Sequence, residues 1–236
     1  MDLDTLMSTW EAALAQPAAT RTATLVAVLR EGADDPLALD VGTREHDALR
    51  LAARVAGNAL NGETLCTQCG ERMEICVPLA ALQLVPTDVA EVRDGAWQVG
   101  LRVPDTHDVL AALDFPAGEA SEAALFSRCV TCARYDGEAR TANDLPAALR
   151  AQCEATLDAL APLANLTLDL VCPACGAADA VPLDAGAFVF ERMRHWVEDQ
   201  LDDIARLCRA YGWREADVLA MSAWRRSFYL ARAEGT

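Results

Sequence analysis

Leu65-Cys66-Thr67-Gln68-Cys69-Gly70 returns late in the chain as Val171-Cys172-Pro173-Ala174-Cys175-Gly176. Each stretch is a Cys-x-x-Cys pair closed by Gly. That pattern reads as a zinc knuckle: a tight turn aims two sulfurs at one point, and Gly follows where the backbone needs positive φ. The likeness extends past the turn. The first copy runs on to Val77-Pro78-Leu79, the second to Val181-Pro182-Leu183. Each copy therefore reads as a strand into the knuckle and a strand out of it, a duplicated unit whose four sulfurs suit one structural metal.

Working outward, the segment before each knuckle reads as helical. Leu3, Leu6, Met7, Trp10 and Leu14 recur at spacings of three and four, which predicts a helix over 3–16 that stops at Pro17. Residues 22–30 read as helix, with enough β-branching to leave a strand open. A loop over 32–36 precedes a helix over 44–59 capped by Thr43. Asn61-Gly62 is a turn signal. Trp97, Val99, Leu101 and Val103 alternate with polar or small residues and predict a half-buried strand. Helices are expected over 107–113, capped by Asp105 or Thr106, over 121–131 and over 145–160, with a polar loop over 135–143 between the last two. Strands over 166–171 and up to Leu183 flank the second knuckle. The rest is helical. Phe188, Met193, Trp196, Val197, Leu201, Ile204 and Leu207 line one face of a long helix that Tyr211-Gly212-Trp213 breaks. Two shorter helices follow, the last beginning near Ser222.

The expected fold is α+β and mostly helical, with two zinc-knuckle hairpin units and a C-terminal helical arm. The chain divides into a first helix and knuckle repeat over 1–95, a second over 96–186, and the arm over 187–236. All the expected ligands precede the arm, so the part before it is expected to keep its fold alone.

Composition narrows the function. The net charge is −16 and the sequence contains no lysine. From Glu191 onward eight Arg balance eight acids, so the whole excess lies in the first 190 residues. Nucleic-acid binding rests on cations that neutralise phosphate, and this balance argues against it. No stretch has the length and apolarity of a membrane span. Met1-Asp2-Leu3-Asp4 is not a signal-peptide start. Nine cysteines, six of them in Cys-x-x-Cys pairs, point to thiols and metal in a reducing cytoplasm more than to disulfides.

The expected zinc ligands are Cys66, Cys69, Cys172 and Cys175. A rival grouping replaces one knuckle by Cys129 and Cys132. That pair has no Gly after it and lies at the end of an expected helix, where i and i+3 share a face and buried thiols serve as small apolar residues. Cys76, Cys153 and Cys208 read as core positions. His46, His107 and His195 are scattered. No metalloprotease, nucleophile-elbow, P-loop or dinucleotide fingerprint occurs. Acid pairs such as Asp34/Asp35 and Asp202/Asp203 read as loop and solvated surface. The chain is expected not to be an enzyme.

Two C-terminal runs carry a family resemblance. They are Ala210-Tyr211-Gly212-Trp213-Arg214-Glu215-Ala216-Asp217-Val218-Leu219 and Trp224-Arg225-Arg226-Ser227-Phe228-Tyr229-Leu230. With Trp10-Glu11, Pro17 and the apolar helix after it, and with the two knuckles, they resemble the T4-type phage baseplate hub assembly family. That family occurs in contractile phage tails, tailocins and extracellular contractile injection systems. The resemblance spans most of the chain; the insertion over 129–143 is matched less well. It implies a non-enzymatic assembly chaperone or small component, with baseplate, hub or spike proteins as partners. The place would be the cytoplasm during assembly, or the tail-like particle itself. Trp196, Trp213, Trp224, Phe228 and Tyr229 are the aromatic anchors such an interface would use. The alternative reading is a zinc-ribbon nucleic-acid-binding or transcription-related protein.

Overall fold

The computed structural model describes residues 3–30, 35–57, 59–82 and 89–233. The fold is α+β and mostly helical, with small antiparallel sheets. The expected loop at 32–34, and with it Asp34, lies outside the described residues.

α1 (Leu3–Leu14) and α2 (Ala18–Ala27) form a helical hairpin hinged at Pro17. α2 is helical throughout its buried face, which resolves the helix-or-strand ambiguity there. α3 (Val41–Ala56) starts earlier than expected. Asp40 caps it, its carboxylate accepting from the Thr43 N–H at 2.8 Å, so Thr43 is already inside the first turn.

β1 (Ala59–Leu65) and β2 (Arg72–Pro78) form the first knuckle hairpin. Asn61 and Gly62 do not turn; they lie inside β1, opposite Cys76 and Ile75. The turn chemistry there yields to strand pairing. A Cβ on Gly62 would sit 3.8 Å from the Phe188 ring, ordinary contact distance, so this strand runs beside that side chain.

The middle of the chain builds its own sheet. β3 (Val89–Asp94) and β4 (Trp97–Arg102) lead into α4 (Thr106–Leu113) and α5 (Glu119–Cys129). β5 (Val130–Tyr135) and β6 (Glu138–Arg140) follow, then α6 (Ala147–Leu160). The strands pair antiparallel in the order β3-β4-β5-β6. Two expectations are corrected here. The helix over 121–131 ends at Cys129, and Val130 starts a strand. The polar loop over 135–143 contains a tight hairpin, with Asp136 and Gly137 both at positive φ, 50° and 82°. α5 and α6 cover this sheet through Val99, Leu101, Phe126, Leu149 and Cys153.

β7 (Thr167–Val171) and β8 (Ala178–Pro182) form the second knuckle hairpin. α7 (Ala185–Tyr211) follows, capped by Asp184 and ended by Gly212 in the left-handed region at φ 67°. α8 (Glu215–Leu219) and α9 (Ala223–Ala233) complete the chain.

The main core decides how these parts depend on one another. It joins α1, α2 and α3 to the inner face of α7, and Trp10 stacks on Phe190 at 5.8 Å. Val189, Phe190, Met193, Val197, Ile204 and Leu207 of α7 are all buried in it. At about 2 kcal/mol each, six such side chains contribute on the order of 10 kcal/mol as an upper figure. Net stabilities are about 5–15 kcal/mol. The arm is therefore not packed apart from the body: its α7 side chains lie inside the core that α1, α2 and α3 build, and a cut before residue 187 is expected to cost much of the fold's stability.

Close approach fixes one residue at the start of α7. A Cβ on Gly186 would meet the Thr22 hydroxyl at 2.5 Å and Glu45 Oε2 at 3.1 Å. Glu45 is buried there, its other oxygen paired with Arg44 at 2.8 Å, and burial raises its carboxyl above the ordinary range.

Candidate metal centre

Each knuckle is built the same way. In the first, the Cys66 N–H donates to the Glu71 carbonyl at 2.8 Å and the Gly70 N–H to the Cys66 carbonyl at 2.9 Å. In the second, Cys172 donates to Ala177 and Gly176 to Cys172, both at 2.9 Å. Gly70 and Gly176 have φ of 72° and 73°. A side chain at either position would strain a left-handed backbone, which is why Gly closes both turns.

The chain brings the two turns together. Cys66 Sγ lies 3.7 Å from Cys175 Sγ, and Cys69 Sγ lies 3.7 Å from Cys172 Sγ. All four sulfurs fall within 4.8 Å of one another. Four thiolates at about 2.3 Å around a tetrahedral zinc stand roughly 3.8 Å apart. The geometry thus fits a four-cysteine metal group, and the donor set suits a soft or borderline dication.

The protonation behaviour points the same way. The backbone N–H groups of Cys69 and Gln68 face the Cys66 sulfur and hold its thiol down to about 7. Cys69 receives the Glu71 N–H, yet crowding against Cys175, burial and the other two sulfurs push it up to about 12. Four adjacent sulfurs cannot all ionise unless a cation offsets their repulsion.

Little else holds the tips together. Cys66, Met73 and Cys172 form a small buried cluster, with Leu170 and Ala177 beside it. The Thr67 hydroxyl donates to Asp179 at 2.8 Å and bridges the two knuckles. Sequence reading did not single out Met73 or Asp179; nothing in their spacing marks them. Two-stranded hairpins are marginal alone.

The rival pair behaves differently. Cys129 ends α5 and is buried, while Cys132 is exposed on β5. They do not share a helical face, and among the described residues the metal-capable group is the other four cysteines. Cys129 is pushed up to about 11 by burial and by Asp108. Cys153 is buried and Cys208 half-buried, as expected, but Cys76 is exposed on β2. The hairpin presents that side chain outward because Val77 and Ile75 take the inner face.

The aromatic residues separate into two groups. Trp196, Trp213 and Tyr229 pack against the main core. Trp213 stacks on Tyr211 at 4.6 Å and meets Tyr229 edge-on at 4.9 Å, and the Tyr211 hydroxyl donates to the Tyr229 carbonyl at 3.1 Å. This cluster ties α9 to the end of α7. Trp224 and Phe228 are exposed, stacked on each other at 5.5 Å. The Arg232 guanidinium lies 3.5 Å from the Phe228 ring centre.

Among the described residues no helix is long and apolar enough to cross a membrane. No family model, curated protein or solved structure matches the chain.

Proposed function

We propose that this chain is a non-enzymatic assembly protein, stapled by one structural zinc, that serves the baseplate or hub of a contractile tail-like injection system. The sulfur geometry supports the zinc: Cys66, Cys69, Cys172 and Cys175 would hold it, and it would supply the cross-link between two hairpins whose tips, among the described residues, meet in a small cluster, the sulfur contacts themselves and the Thr67–Asp179 hydrogen bond. The family resemblance of the C-terminal runs supports the assembly role. The observation that carries it furthest is the solvent-facing Trp224–Phe228 stack within those runs, on a helix otherwise anchored to the body.

The test is pull-down of hub, spike and baseplate proteins by the zinc-loaded chain and by Trp224→Ala. Trp224 is 73% exposed, so the substitution spares the core. Loss of recovery beyond about tenfold supports a buried anchor in the complex. Equal recovery, or salt-sensitive retention of DNA by the wild type, would favour the zinc-ribbon alternative or neither.

A further inference from the structure

α9 and a groove on the far side of the sequence complement each other. The sequence of α9, Ala-Trp-Arg-Arg-Ser-Phe-Tyr-Leu-Ala-Arg-Ala, carries three arginines and no acid, and none of its residues is buried. Tyr229 and Leu230 face the core. The helical repeat places Trp224, Phe228 and Arg232 on one stripe away from it, with Arg225 alongside. The stripe is aromatic, cationic and open to solvent.

The groove lies between α5, α6 and the loop into α4, with a volume of about 450 Å³. Val41, Val109, Leu125, Phe126 and Leu157 give it an apolar floor. Glu122, Glu154 and Asp158 stand at its rim and are exposed. Arg44 also lines it, but its charge is matched by Glu45 at 2.8 Å, and Arg150 is matched by Glu154 at 2.8 Å. Glu122 and Asp158 keep the rim acidic. A groove of this size lies in the range of ligand sites, and an apolar floor beneath an acidic edge is complementary to an aromatic side chain with a cation beside it.

We propose that α9 of a second copy of this chain occupies the groove, with Trp224 and Phe228 on the apolar floor and Arg225 at the Glu122–Asp158 rim. The charge complementarity selects this occupant, since the cationic stripe and the acidic groove both belong to one sequence whose first 190 residues carry the whole −16. The contact is head-to-tail, so two copies either exchange helices into a closed dimer or extend further. A partner protein that binds α9 would have to displace the groove of the neighbouring copy. Self-association is read on the purified chain alone, so it stands or falls separately from the assembly role.

The experiment is sedimentation equilibrium of the zinc-loaded chain over a range of concentration and salt. Self-association that weakens with salt is expected. Trp224→Ala should weaken it by about 30-fold or more. The double variant Glu122→Arg with Asp158→Arg, both positions exposed, should do likewise. Mixing those two variants supplies one intact helix and one intact groove, and should restore a heterodimer that neither forms with itself. A monomer at every concentration overturns the proposal. So does association that survives Trp224→Ala or the rim variant, or a mixture that fails to pair.

Discussion

Cys66-x-x-Cys69 and Cys129-x-x-Cys132 have the same spacing and opposite outcomes. In the first, a turn closed by Gly70 at φ 72° points both sulfurs inward to meet the other knuckle. In the second, a helix ends and a strand begins between the cysteines, so one side chain is buried and the other faces solvent. Spacing alone does not make a ligand pair. The residue after the second cysteine does much of the selection: Gly permits the left-handed close, whereas Ala133 is held extended by pairing with Val99 and Arg140.

The most damaging way to probe this contrast is Cys172→Ser. We expect metal content to fall from about one zinc per chain to none, with a loss of several kcal/mol, because binding energy at such sites is folding energy. Cys129→Ser and Cys132→Ser should leave the stoichiometry unchanged. Metal analysis with thermal melts distinguishes them, and metal lost from the Cys132 variant would contradict the contrast drawn above.

Next comes the closing glycine. Gly176→Ala should cost about 1–2 kcal/mol at a left-handed position, and Gly70→Ala about the same, since the two φ values agree within a degree. The converse change, Ala133→Gly, should gain no metal and should lose roughly 1 kcal/mol in a strand. Unequal costs for the two knuckles would show that the duplicated turns carry unequal strain. Denaturant midpoints measure this.

The contrast between the pairs explains what was legible. The knuckles are local: both turn residues and both ligands fall within six positions, so their backbone is written in the sequence. Much of the α7 stripe was legible for the same reason, its period repeating over roughly five turns, but Leu201 is exposed, and the buried Val189 and Phe190 were not read as part of it. β5 was not, because Val130-Thr131-Cys132-Ala133 continues the short, partly apolar texture of α5. Only pairing with β4, thirty residues away, makes it a strand. β3 and β6 depend on the same sheet. Asn61-Gly62 misled in the other direction, since its local turn preference gave way to seven paired positions along β1. The meeting of the two knuckles was anticipated from their likeness, while Met73 and Asp179, which steady it, were not. Their role depends on a chain reversal that brings residues over a hundred positions apart into contact.

A smaller effect is expected in reactivity. In the zinc-loaded protein, Cys132 and Cys76 are exposed and should alkylate first. Cys129 and Cys153 should react slowly, being buried with thiols held above the ordinary range. Cys69 and Cys175 are exposed too, yet a bound metal should protect them until a chelator is added. Mass spectrometry of timed alkylation reads all nine sites. Fast labelling of Cys69 before chelation would argue against the metal in that preparation.

The smallest effect concerns the carboxylate beside the second pair. Asp108 is buried between Arg102 at 2.6 Å and Arg128 at 3.4 Å, and it also closes the α4 cap by accepting from the Asp105 N–H. Burial works against its charge, but the Arg102 hydrogen bond, the Asp105 N–H and the two cations outweigh it and lower its pKa. With the folded value below the unfolded one, its stabilisation is complete above the unfolded pKa. It is lost as pH falls through the folded value, below the ordinary carboxylate range. Asp108→Asn should therefore flatten the acid limb of the stability curve. The same change removes a negative charge facing Cys129, so its thiol should come down from about 11 while burial keeps it above the ordinary value. Alkylation of Cys129 against pH measures that shift. No change would mean that burial alone keeps Cys129 protonated, and that its place in the core and not its charged neighbours holds that thiol back.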